Sequence, residues 1–513
     1  MRVKRNINRF GNMGQTKANI LVSVLYQITS AVCSLVLPRY ILRYFGSDVN
    51  GMLQTIGQLL SYTVLMESGV GGLVMASFYK PLAERDNEAI SDIFNNAKSF
   101  FDRISYVYFG LVAVLCVTAK FFIRTEFDFV YVSGMVLILA FNYYFNYYFA
   151  MAHRILLRAD QKIRVIQSVQ IVTMLFNLVV CIIAIKLSCG IHVVKLISTL
   201  IYLSNPFIFR AYVKRHYPLS KTVYDKERTV PKKSSGLVHH IAYFIHMNTD
   251  IVLLSLFADT KEVSVYSVYN SVVFTIEAFF SAISDAMSGT IGKLFATEQK
   301  QKLFDTYSLY NLANLFVATF FCVAEAVLIV PFVSVYTKDV SDVNYLRPVF
   351  ALIVIAAQWF YCIRIPANCM IYAAGHYDQT KSGAYIEVIL NLGISLLTVR
   401  RFGMVGVAVG TAVAMAVRSV YMAWYLSKNI LHRSLLLYCR EVLLYGGISV
   451  GIWFLLKNRV PAVCENLLQW LLTAVFVSVA VLIILAICVI LFDGRALLSL
   501  IKRTKNSESE KMI

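Results

Sequence analysis

Charge is what this 513-residue chain has least of, since Asp, Glu, Lys and Arg make up only 15% of it, against about 25% in an ordinary soluble domain. The length alone would suggest three or four soluble units at roughly 150 residues each, but no segment is polar enough to coat them. Proline is scarce, with nine residues, and no long Ser/Gly or low-complexity tract occurs, which argues against flexible multidomain linkers. The ten cysteines, among them Cys33, Cys116, Cys322, Cys362 and Cys369, form no CxxC pair and sit mostly in apolar runs. They indicate neither a zinc site nor a disulfide framework and read as small packing residues. There is no Walker A loop, no GxSxG and no HExxH. Nothing here describes an enzyme, a metal centre or a bound cofactor.

What fills the chain instead is apolar sequence: 58% hydrophobic residues and a mean hydropathy of +0.65. A spanning helix needs about 20 largely apolar residues, because backbone groups in hydrocarbon must be satisfied within the segment. Fourteen stretches qualify, near 18–38, 50–76, 104–123, 129–151, 165–187, 193–212, 237–257, 263–287, 309–335, 348–374, 382–399, 404–427, 435–456 and 467–492. The first reads as a retained span, because it lacks the small-residue cleavage site of a signal peptide.

Cytoplasmic loops are enriched in Lys and Arg. With both termini inside, and cations near span ends counted with the adjoining loops, 33 of the 46 loop and tail cations fall on the cytoplasmic side, and Arg364 and Arg418 lie deeper within spans. The net charge of +19 is therefore mostly topology, and nucleic-acid binding is disfavoured. The basic stretch Arg210–Gly236 divides six spans from eight; it reads as a connector, with recognition of anionic lipid headgroups as the alternative.

Both halves open alike. LPRYILRYFGSDVNGMLQTIGQLLSYTVLMES and NTDIVLLSLFADTKEVSVYSVYNSVVFTIEAF share an offset of about 212 residues, with a span ending at Phe45 or Phe257 and a polar turn following. Six spans per half, starting on the same side, make parallel repeats related by an axis along the membrane normal. The expected fold is an all-α polytopic membrane protein of about fourteen helices. It divides into an N-lobe (1–212), a basic connector (213–236), a C-lobe (237–430), and a final helix pair with a cytoplasmic tail (431–513).

Polar residues inside spans are expensive and mark cavities or interhelical pairs. His239, Tyr243, His246 and Asp250 fall at i, i+4, i+7 and i+11 of the seventh span, on one helix face; a hydrogen-bonded stripe and a substrate surface are equally good readings. Glu277, Arg364 and Arg418 come out at similar depth, roughly 20 Å from the outer ends at 1.5 Å per residue. A Glu277 carboxylate between the two guanidinium groups would satisfy all three, and the alternative leaves one Arg to face an anionic substrate. Asn368 follows Arg364 on the tenth span. The first half offers amides instead: Asn142 and Asn146 in the fourth span, Gln54 and Gln58 in the second. Amides, hydroxyls and aromatic faces suit a sugar. The tract FNYYFNYYFA (141–150) also reads as an interfacial aromatic belt.

The chain resembles the polysaccharide-exporting, Wzx-like flippases of the multidrug/oligosaccharidyl-lipid/polysaccharide (MOP) exporter superfamily. The resemblance covers about residues 15–430. It rests on RYxxxYFG running into a long second helix (Arg39–Gly51), NTDIVLLSLF (248–257) followed by VYSVYNSVV (265–273), and SGTIGKLFATE (288–298). It continues through Arg364–Ile371, EVILNLGISLL (387–397) and GMVGVAVGT (403–411). It implies a MATE-like fold of two six-helix lobes with two extra C-terminal helices, alternating between inward- and outward-open forms in a bacterial inner membrane. It further implies a lipid-linked oligosaccharide substrate on undecaprenyl diphosphate, H+ or Na+ as a coupling ion, and a polysaccharide polymerase and glycosyltransferases as partners. Related lipid-precursor flippases are expected to line the cavity with several arginines, and the first lobe here has none deep in its spans. An ion-coupled drug exporter of the same superfamily and a membrane scaffold for glycan-synthesis enzymes are the competing functions.

The charge bias yields a first prediction: a phosphatase reporter fused after Lys226 should be inactive and a cytoplasmic reporter at the same point active. Strong phosphatase activity there would overturn the topology and the parallel-repeat argument together.

Overall fold

A computed structural model describes residues 2–62, 70–220 and 235–509; the side chains of 2–17, 20, 70, 146–147, 235–243, 246–247 and 495–509 are outside the description. The described residues form helices joined by short turns. In order they are α1 (Arg2–Ser61), α2 (Val70–Glu84), α3 (Asn87–Phe122), α4 (Phe129–Phe145), α5 (Met151–Ala159), α6 (Ile163–Lys186), α7 (Ile191–Tyr202) and α8 (Ser204–His216). They continue with α9 (Ser235–Phe257), α10 (Thr260–Ala296), α11 (Lys300–Tyr336), α12 (Pro348–Ala373), α13 (Tyr377–Phe402), α14 (Met404–Asn429), α15 (Leu436–Leu456) and α16 (Leu467–Ser509).

Twelve of the described helical stretches are long and apolar enough to cross a membrane, and the chain is a multi-pass membrane protein. The difference from fourteen lies at two places. The first two expected spans run together as Leu21–Ser61, because the turn between them is made by one residue: Gly46 adopts φ 81°, ψ 178°, a conformation open to glycine and strained for any other residue. The seventh expected span corresponds to α9, whose counted apolar part is Asn248–Phe257. At 37 residues each, α10 and α11 are about 55 Å long at 1.5 Å per residue, so they extend well beyond a hydrocarbon core of about 30 Å. Phe121 and Leu397, 82% and 83% exposed, are the kind of residue that faces acyl chains.

The chain divides into two compact units. Unit 1 is Met1–Leu237 with Asp259–Ser264, and unit 2 is Val238–Ala258 with Val265–Ile513. In unit 1 a short π-helical turn, Asn146–Ala150, joins α4 to α5. The aromatic tract here forms ladders along the helix: Phe141, Phe145 and Phe149 stack in succession at 6.2 and 5.4 Å between centroids, and Phe149 continues onto Phe207. The start of α10 is tied into this unit. The Asp48 carboxylate accepts from the hydroxyls of Thr125 and Thr260, and Asn50 Nδ2 donates to Ser264 Oγ at 2.8 Å.

Unit 2 contains the hairpin that positions the polar residues. Gly403 (φ 55°) turns α13 into α14, and the two helices then pack through small residues. A Cβ on Gly406 would lie 2.7 Å from the Thr398 carbonyl carbon, and one on Gly410 would meet Ser395 Oγ and the Asn391 carbonyl. Close approach of this kind is how helices associate where lipid supplies no hydrophobic drive. Behind the hairpin, α11 packs with α15 and α16 through Val323, Val327, Ile452, Val477 and Val481.

Gly406→Ala and Gly410→Ala are accordingly predicted to cost about 1–3 kcal/mol each by overpacking, lowering the melting temperature in detergent. Gly393→Ala, where nothing lies within 4 Å of the added carbon, should leave it unchanged. Equal behaviour of the three variants would refute the packing account.

Candidate functional site

Polar side chains from α9, α10, α12, α13 and α14 converge inside unit 2. Asp250 on α9 is 4% exposed; its Oδ2 accepts from Tyr266 on α10 and from Thr411 on α14, both at 2.9 Å. Asn391 Nδ2 on α13 donates to the Thr411 hydroxyl at 2.9 Å, so four helices meet at one carboxylate. Asp250 Oδ1 and Asn391 Oδ1 are buried acceptors with no hydrogen-bond partner among the described residues. Beside them is a small cavity of about 40 Å³ lined by Asp250, Tyr266, Asn270, Glu277 and Thr411 among others, with no basic residue among the described residues of its wall. Such a volume holds a water-sized occupant, and its lining offers oxygen atoms and one amide for polar contact.

The second feature is an ion-pair cluster. Glu387 on α13 lies 3.5 Å from Arg364 Nη1 on α12 and 3.4 Å from Arg418 Nε on α14, and all three side chains are 4–6% exposed. The expectation of a carboxylate between two guanidinium groups is met in kind, but the carboxylate is Glu387 and not Glu277. The physical reason is the hairpin: α13 packs against α14 and brings Glu387 to Arg418, while Glu277, on α10, turns to the small cavity with Asp250. The Arg364 guanidinium also covers the Tyr361 ring at 5.4 Å, and Arg418 is hydrogen-bonded to Tyr372.

Other expected residues fall as follows. Asn368 lines a larger cavity of unit 2, about 430 Å³. The side chains of His239, Tyr243 and His246, and that of Asn146, lie outside the described residues, so Asp250 is the one member of its stripe whose contacts are known. Gln54 and Gln58 on α1 and Asn142 on α4 are half-buried in unit 1. Sequence reasoning passed over Glu387, Asn391 and Thr411, although Gly383, Glu387, Asn391 and Ser395 recur every four residues along α13 and mark its packed face. It also passed over Glu325 on α11, whose carboxylate is buried beside Gln358.

No protein-family model matches the sequence, and no curated protein matches it. Solved structures do match. The lipid II flippase MurJ in an inward closed conformation superposes with a TM-score of 0.66 at 13% identity, covering 93% of this chain and 100% of that one. The chain has a MATE-like fold. An inward-facing multidrug resistance MATE family transporter of the MOP superfamily gives 0.58 at 14% identity, with 77% of this chain and 93% of that one. The MATE multidrug transporter DinF-BH gives 0.56 at 18% identity, with 80% and 95%. The all-α, many-span fold expected from hydropathy is observed, and these likenesses give it as MATE-like.

Glu387→Gln should strand two buried guanidinium groups, a loss of about 3–5 kcal/mol, and sharply reduce membrane abundance measured through a fluorescent fusion. Glu277→Gln should reach near-normal abundance. The reverse ranking would return the pairing role to Glu277.

Proposed function

We propose that this protein flips a lipid-linked oligosaccharide repeat unit, carried on undecaprenyl diphosphate, from the cytoplasmic to the outer leaflet by alternating access, for surface polysaccharide synthesis. The observation that carries this reading is the extent of the likeness to the lipid II flippase, which takes in 93% of this chain, where the multidrug transporters cover 77% and 80%. The difference is comparable in size to the segment 431–513 that holds α15 and α16, the helix pair expected beyond the two six-helix lobes. Asp250, with a second acid and hydroxyl oxygens around a water-sized cavity, suits a proton or Na+ as the coupling ion.

The same cavity favours one competing reading: two acids without a base in the wall also fit export of small cations. A deletion strain separates the two. We predict accumulation of lipid-linked oligosaccharide in the deletion strain, its clearance by the wild-type gene, and failure of Asp250→Asn to clear it at normal membrane abundance. Normal lipid-linked glycan together with hypersensitivity to lipophilic cations would replace the flippase reading with the exporter.

A further inference from the structure

The larger cavity of unit 2 falls within the volume range of small-molecule sites, about 300–1,000 Å³, and the ion chemistry above makes no use of it. Two helix faces build its walls. From α10 come Ser281, Ser284, Asp285 and Ser288, at i, i+3, i+4 and i+7; from α12 come Tyr361, Asn368 and Tyr372, with Tyr377 of α13 beside them. No Lys, Arg or His is among the lining residues. The Tyr372 and Tyr377 rings are parallel within 5°, centroids 4.8 Å apart, and Tyr361 OH lies 3.4 Å from Ser281 Oγ. Asn368 Oδ1 is buried with no hydrogen-bond partner among the described residues.

We infer that this cavity is a carbohydrate subsite, receiving a sugar of the lipid-linked headgroup and not its diphosphate; the inference rests on the flippase reading. A sugar hydroxyl both donates and accepts, so it is matched by Ser and Tyr hydroxyls that do the same, while the Asn368 amide oxygen and the Asp285 carboxylate accept from neighbouring hydroxyls. The apolar C–H face of a sugar ring is matched by the flat tyrosine surface. A diphosphate would meet Asp285 with no cation in the wall to offset it. An acyl chain would strip water from the serines and Asn368 without replacing its hydrogen bonds.

The test uses the deletion strain complemented with wild type, with Asn368→Leu, and with a Ser281→Ala, Ser284→Ala, Ser288→Ala triple variant that removes hydroxyls without adding bulk. The probe is the water-soluble oligosaccharide released by mild acid from the accumulated lipid, titrated onto purified full-length protein in a sugar-free detergent. The expected result is wild-type binding of that oligosaccharide, at least tenfold weaker binding in both variants at unchanged melting temperature, and retained lipid-linked glycan in the cells that carry them. If wild type clears the lipid but both variants clear it and bind as well as wild type, the subsite is refuted and the flippase reading stands. If the deletion strain accumulates no lipid-linked glycan, the flippase reading fails and the subsite with it. Displacement of the oligosaccharide by inorganic diphosphate but not by free sugar would overturn the assignment of ligand class.

Discussion

Hydrocarbon offers no hydrogen bonds, and this constraint organises unit 2. A polar group in a spanning helix has to turn inward and find a partner there, so α13 is built inside out: Ile389 and Leu397 are 67% and 83% exposed, while Glu387, Asn391 and Ser395 are buried. Short side chains reach a partner only if the backbones come close. Gly406 and Gly410 allow that approach, which is why the contact between Asn391 and Thr411 exists and why Thr411 can in turn hold Asp250. Glycine packing and carboxylate chemistry are one arrangement.

The arithmetic of donors explains the second cluster. Each guanidinium carries five N–H groups, whereas a carboxylate offers about four acceptor positions. Glu387 cannot absorb the full capacity of Arg364 and Arg418, so their remaining interactions spread to a tyrosine ring face and a tyrosine hydroxyl. A buried pair of this kind is weak evidence for stability, because desolvation offsets the attraction.

Much of this was legible from residue order. Long apolar runs announced the helices, and Asp250, Arg364 and Arg418 stood out as charges where lipid tolerates few. The partner of the arginines was not legible. Depth along a helix is a single coordinate, and Glu277 and Glu387 both satisfy it; only the rotation and neighbours of α10 and α13 choose between them. The one-residue turn at Gly46 was missed for a similar reason, since a polar segment between two apolar runs reads as a loop until the backbone shows that the helix resumes at once.

The two cavities of unit 2 differ in chemistry but share a neighbour. Glu277 lines the smaller one and interacts electrostatically with Arg364; Arg364 covers Tyr361, which lines the larger one. Inside a low-dielectric bundle such interactions are less screened than at a surface. Arg364 does not lose its own proton, because a guanidinium stays charged. Its contacts run to Glu387 and to the Tyr361 ring, so the ion-pair cluster and the tyrosine wall of the larger cavity share one cation.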